Sequence, residues 1–271
     1  YGRDRKKVAI GIYPLEAIKL PIKYLAKKPE EIRFQPLESK KEMNGRQILS
    51  QHPKGRDYAK LLKDAEIFPI FEDANKEILS MPPIINSEKT GKISEKTKEV
   101  FVECSGHNLA AQKKVLNMIV TTLADMGGKI YQMEIQDSKN ELSPDLNPEK
   151  LEFTIENINK TLGLTLNENE VKTLFMKMGI GYEKDKDQAF AMIPPYRTDI
   201  LHEIDLTEEV AIAYGYENFK PEIPNISTIG QEDKTEILKR KISEILIGLD
   251  LLEISTYHLS TKEKQFKKMN I

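Results

Sequence analysis

The chain has 271 residues, 39% of them hydrophobic and 31% charged, with a formal net charge of −2. That mix fits one large or two ordinary globular domains with solvated surfaces, and the near-neutral charge argues against a protein that wraps nucleic acid by itself. Cys104 is the single cysteine, which excludes a disulfide framework and a zinc–thiolate cluster within the chain.

A reducing, cytosolic compartment is expected from that cysteine usage, and Cys104, in Val100-Phe101-Val102-Glu103-Cys104, reads as a buried strand thiol. No run approaches eighteen apolar residues, so a membrane span is not expected. The chain starts with Tyr1 and a basic stretch rather than Met and an apolar signal core. Its natural N-terminus is therefore expected to be missing.

Residues 6–13 are β-rich and predict a strand ended by Pro14, with a helical turn over 15–18. Residues 30–37 read as extended. Short helices are predicted over 45–50 and 57–62, separated by a turn at His52-Pro53-Lys54-Gly55. A strand over 68–71, a turn at 73–76 and a strand over 77–81 follow; Pro82-Pro83 then forces an extended loop through Ser87. The next elements are a strand over 100–103, a helix over 109–126 stopped by Gly127-Gly128, and a strand over 129–135. Together they predict a mixed α+β domain over residues 1–146. The polar stretch 138–150, from Ser138 to beyond Pro148, reads as a boundary.

A smaller module is predicted over 150–222: helices at 154–162 and 167–178, a hairpin over 182–193 turning at residues 184–187, and a helix over 201–215. Pro221 and Pro224 mark a second linker. An amphipathic helix over 233–248 and a strand over 253–259 open a third region, 223–271, with nothing after it to complete a domain.

Two constellations carry chemistry. Glu103 ends an apolar strand just before Ser105 and Gly106, so its carboxylate either projects into a pocket or is an ordinary exposed strand-end acid. Asp205, Glu208 and Glu209 sit at i, i+3 and i+4 on one helix, with Asp199 just before it. Four oxygen-bearing side chains suit a hard cation such as Mg²⁺; the alternative is acids complementing the helix dipole. His52, His202 and His258 are isolated in sequence, and Lys113-Lys114 reads as a solvated face.

Several stretches, in order, resemble the β subunit of phenylalanine–tRNA ligase of the archaeal and eukaryotic kind. They are Gly2–Gly11, His52–Gly55, Leu79–Glu88 with Val100–Gly106, Pro194–Ile200 with Asp205–Asn218, and Gly248–Ser260. The resemblance implies an α+β multidomain architecture: an editing domain (1–146), a winged-helix-like module (150–222) and the start of an inactive catalytic-like domain (223–271). It implies editing hydrolysis of tyrosine misattached to phenylalanine tRNA, in a pocket formed by Glu103, Ser105, Asn86, Ser87 and the nearby His107. No triad is expected, since nothing in the sequence orients His107; water attack is the expected route. The resemblance also implies Mg²⁺ held by Asp199, Asp205, Glu208 and Glu209. The implied partners are phenylalanine tRNA and an α subunit that activates the amino acid with ATP, in a cytoplasmic (αβ)₂ assembly. A scaffold with a dead editing pocket and a free nucleic-acid-binding module are the alternatives.

Overall fold

The computed structural model describes residues 1–137, 140–186, 188–223 and 226–269. Ser138, Asp187 and Pro224, expected in a boundary, a hairpin tip and a linker, lie outside the described residues. The chain divides into two compact units, one running from Tyr1 to Phe219 and the other from Lys220 onward. The expected editing domain (1–146) and the expected winged-helix-like module up to Phe219 lie within the first, and residues 220–222 of that module fall in the second.

The first unit opens with β1 (Val8–Pro14), β2 (Lys23–Lys27), β3 (Arg33–Phe34) and β4 (Met43–Asn44). Asn44 starts α1 (Gly45–Gln51) with a capping box shared with Gln47. The predicted turn at 52–55 is corrected: Pro53 takes the first position of α2 (Pro53–Tyr58), where a missing N–H costs nothing. There follow β5 (Phe68–Glu72), β6 (Ile78–Met81), β7 (Ile85–Asn86) and β8 (Val100–Gly106). Strands β2-β5-β6-β7 form one antiparallel sheet, whereas β1 pairs with β8 in a separate ribbon. Ile32, Phe34, Ile48, Phe68, Ile70 and Met81 belong to the core on the four-stranded sheet. The ribbon is covered by α3 (Leu109–Asp125), capped by Asn108.

The expected strand over 129–135 shortens to β9 (Met133–Ile135), paired with β10 (Glu141–Ser143). The polar stretch read as a boundary thus contains a strand, and its end begins another, β11 (Glu149–Phe153). Then come α4 (Ile155–Leu162), α5 (Glu168–Lys177), β12 (Gly181–Asp185), β13 (Gln188–Ile193) and α6 (Glu203–Tyr214). Strands β11-β13-β12 make a three-stranded sheet. A second core, including Phe153, Ile158, Val171, Phe175, Ile193 and Leu206, joins it to the three helices. Asn117 of α3 is buried and donates to the carbonyls of Asp145 (2.9 Å) and Pro195 (3.4 Å).

The second unit holds α7 (Lys234–Gly248), N-capped by Asp233. The strand expected over 253–259 does not form. A lone strand has nothing to satisfy its ladder groups, and the described residues of this unit supply no other strand. No helix among the described residues is long and apolar enough to cross a membrane.

Candidate functional site

In the β1–β8 ribbon, Ala9, Gly11 and Tyr13 stand opposite Ser105, Glu103 and Phe101. Cross-strand partners share a face, and alternation places these six side-chain positions on the same one. Cys104 belongs to the other face, and burial pushes its thiol up to about 12. A Cβ at Gly11 would collide with Glu103 Oε1 and the Tyr13 hydroxyl. The bare glycine is therefore what admits both groups.

A second row faces this one. Tyr24, Phe71, Ser80 and Asn86 are successive cross-strand partners through the four-stranded sheet. The two rows meet where the Tyr13 hydroxyl lies 2.8 Å from Ser80 Oγ and 3.2 Å from Glu103 Oε1. Tyr24 and Phe71 contact each other at 4.9 Å between ring centroids. Burial, and then the Glu103 charge, raise the Tyr24 phenol above its ordinary value. The result is an aromatic-walled site with an acid at its base.

That acid is enclosed: Glu103 is 8% exposed and Ser105 9%. Burial pushes the Glu103 carboxyl up to about 7, against the opposing pull of the neighbouring Tyr13 and Ser105 hydroxyls. Glu103 Oε2 and Ser105 Oγ meet no partner at full hydrogen-bond geometry. Each such buried group costs about 1–3 kcal/mol when left unpaired.

Of the five residues expected in the pocket, Glu103 and Ser105 converge, and Asn86 shares the face of Ser80. Ser87, one residue on, belongs to the opposite face; it lines a separate cleft of about 630 Å³ with Lys27, Arg33, Glu72, Glu77 and Lys89. His107 is exposed just beyond β8. Tyr13, Tyr24, Phe71 and Ser80 were not read from the sequence as site residues. Their signal is strand register, which pairs residues as far as 90 positions apart.

The acidic cluster is built differently. Arg197 donates from Nε and Nη2 to Asp199 (2.9 and 2.6 Å), and from Nη1 and Nη2 to Glu209 (3.2 and 2.6 Å). These two carboxylates hold the guanidinium proton still more firmly than usual, and Arg197 holds Asp199 below its ordinary range. Asp205 Oδ2 accepts from the backbone N–H groups of Leu201 and His202, both 2.8 Å, as part of the cap of α6. Glu208 lines a cleft of about 340 Å³ with Ile204, Ala211 and Tyr216.

Three of the four acids expected to hold Mg²⁺ are thus engaged, Asp199 and Glu209 by an arginine and Asp205 by a helix end, while Glu208 lines the cleft. Among the described residues no three His, Cys, Asp or Glu side chains are placed to hold a metal ion. The i, i+3, i+4 spacing puts the acids on one helix, and in this arrangement two of the four expected ligands, Asp199 and Glu209, converge on Arg197. Spacing fixes the helix face but not which charge reaches it first, and Arg197 neutralises it without the cost of dehydrating Mg²⁺.

A family model described as the tRNA synthetase B5 domain matches residues 151–216. The chain is 42% identical over 272 residues to the phenylalanine–tRNA ligase beta subunit of Pyrococcus horikoshii, covering 100% of this chain and 49% of that relative. It is 40% identical over 271 residues to the same-named subunit of Methanococcus maripaludis, covering 100% of this chain and 48% of the relative. Among solved structures, an N-terminal fragment of the phenylalanyl-tRNA synthetase beta-subunit from Pyrococcus horikoshii superimposes with a TM-score of 0.75 at 42% identity. That match covers 79% of this chain and 62% of the other. The chain spans about half the length of the curated relatives it matches.

Proposed function

The chain belongs to the phenylalanine–tRNA ligase β-subunit family, and from that premise we propose that its first unit is an editing site that hydrolyses tyrosine wrongly esterified to phenylalanine tRNA. The observation that carries this is the buried Glu103 carboxylate, whose Oε2 has only the neighbouring Ser105 hydroxyl near it and meets no donor at full hydrogen-bond geometry. The hydroxyl of a bound tyrosyl group supplies the missing donor. A phenylalanyl group supplies none and leaves the buried oxygen unpaired. A site built on such a hydrogen bond rejects the analogue lacking it by about 10⁴-fold or more.

Tyr24 and Phe71 provide flat apolar contact for an aromatic ring. Ser105 is assigned a binding role rather than nucleophilic attack, since its hydroxyl neighbours the Glu103 carboxyl, which this reading employs in recognising the tyrosyl hydroxyl. Water delivers the hydrolysis, and binding holds the ester in place. The ligase reaction itself, with ATP and Mg²⁺, is assigned to an α subunit in an (αβ)₂ assembly in the cytoplasm. The B5-like module contributes to assembly and tRNA docking.

The test is deacylation of tyrosyl-tRNA(Phe) by the complex of this chain with its α subunit. Glu103→Ala is expected to lower kcat/KM by roughly 10²-fold or more. If wild type and Glu103→Ala release tyrosine equally slowly, the chain is a scaffold with a silent pocket.

A further inference from the structure

The Tyr13 hydroxyl has one proton and two neighbours. Ser80 Oγ is the closer, at 2.8 Å, and Glu103 Oε1 lies at 3.2 Å. Each hydroxyl can donate once and accept, so Glu103, Tyr13 and Ser80 form a chain that can be donated through in either direction. When Glu103 is ionised, Tyr13 serves Oε1; when it is protonated on Oε1, it can donate to Tyr13, which serves Ser80. In both states Tyr13 engages Oε1, and Oε2 has only the Ser105 hydroxyl beside it. Tyr13 is itself fully buried and rests against Phe101, with ring centroids 6.0 Å apart. Gly11 leaves the space that the Tyr13 hydroxyl and Glu103 Oε1 occupy. The chain thus carries its own phenol on one oxygen of the acid, leaving the other for a second phenol.

Resting on the editing reading above, we propose that Tyr13 is the specificity-determining partner of Glu103: it immobilises Oε1 so that Oε2, beside Ser105, is a single directed acceptor for the ligand's hydroxyl. A carboxylate without that restraint can turn both oxygens inward on itself or toward water carried in with a phenylalanyl group. The unpaired acceptor that disfavours phenylalanine would then be relieved, and discrimination would fall. Tyr13 acts through Glu103 and is a positioning residue.

Two measurements test this on the full chain. The first is affinity for 3′-amide-linked tyrosyl-adenosine and its phenylalanyl counterpart, neither of which can be hydrolysed. Tyr13→Phe is expected to narrow the tyrosyl/phenylalanyl affinity ratio at least tenfold. An unchanged ratio overturns the proposal. The second is the titration of the Glu103 carboxyl followed by ¹³C NMR. Removing the Tyr13 hydroxyl takes away a hydrogen bond that lowers it, so Tyr13→Phe moves the titration upward. Ser80→Ala hands the Tyr13 proton wholly to Glu103 and moves it downward, and this variant carries the test should Tyr13→Phe not fold. Titrations unmoved by either substitution also overturn the proposal. Should wild type bind neither adenosine compound, the editing reading falls, and the two opposed titration shifts alone decide whether Tyr13 restrains Glu103.

Discussion

Both the Glu103 site and the Arg197 cluster are built from acids, yet they differ in how their oxygens are employed. Around Arg197, both carboxylates of Asp199 and Glu209 are matched to one planar guanidinium, and Asp205 is matched to backbone N–H groups. At Glu103 one oxygen and the neighbouring Ser105 hydroxyl are enclosed and meet no partner at full hydrogen-bond geometry. Satisfied buried charge holds a fold in one arrangement, whereas enclosed, unspent hydrogen-bonding capacity marks a place shaped for something not yet there.

The contrast is broken most severely by Arg197→Met. Glu209, whose side chain is 9% exposed, would be left as a buried charge without its partner. A loss of about 3 kcal/mol in urea-unfolding stability at pH 7 is expected. Adding Glu209→Met should restore most of it, since the uncompensated charge goes with it. If the single variant is as stable as wild type, the cluster is not structural.

Next in size is the response to pH, where the regions should move in opposite senses. Folding raises Glu103 from an ordinary 4.5 to about 7, so its carboxyl favours the fold most when protonated. That contribution is whole below about 4.5 and is lost as pH rises through about 7, amounting to about 3 kcal/mol by pH 8. Asp199 is held down by Arg197; its contribution is present above the ordinary carboxylate range and is lost on acidification. Glu103→Gln should therefore flatten the alkaline fall in stability between pH 5 and 8 and leave the acid limb in place. Parallel unfolding curves for wild type and variant across that range would remove the distinction.

The smallest effect sharpens the comparison by its near absence. Millimolar Mg²⁺ should shift the melting temperature of the chain by less than about 1 °C, because a ligand that does not bind the native state does not stabilise it. A saturable rise of several degrees, abolished by Glu209→Gln, would mean that the cation displaces Arg197.

What was legible in the sequence follows from the range of the forces involved. The apolar spacing of α3 is local, and that helix forms where expected, as does the helix expected over 167–178. Strand β2 was missed because its exposed edge residues show no clear alternation. Residues 253–259 were read as a strand from composition, but β preference expresses a fit to neighbours, and none is present among the described residues. Glu103 was legible as an acid in an apolar strand, but it was read at the strand end, whereas β8 runs on to Gly106 and holds it mid-strand; the register that places Tyr13 on it was not legible. Nor could helical spacing reveal that Arg197 would bind two of the four acids.

Gly11 ties the future of two strands together. With hydrogen as its side chain, position 11 has no slack: any heavier residue evicts the acid or the phenol before it disturbs anything else. Drift at 11 can therefore be tolerated only alongside a shortened residue at 103 or 13, so these three positions should be inherited as a set. A lineage that no longer needed the Glu103 carboxyl would be free to fill that gap, and a methyl group there would be the first legible scar.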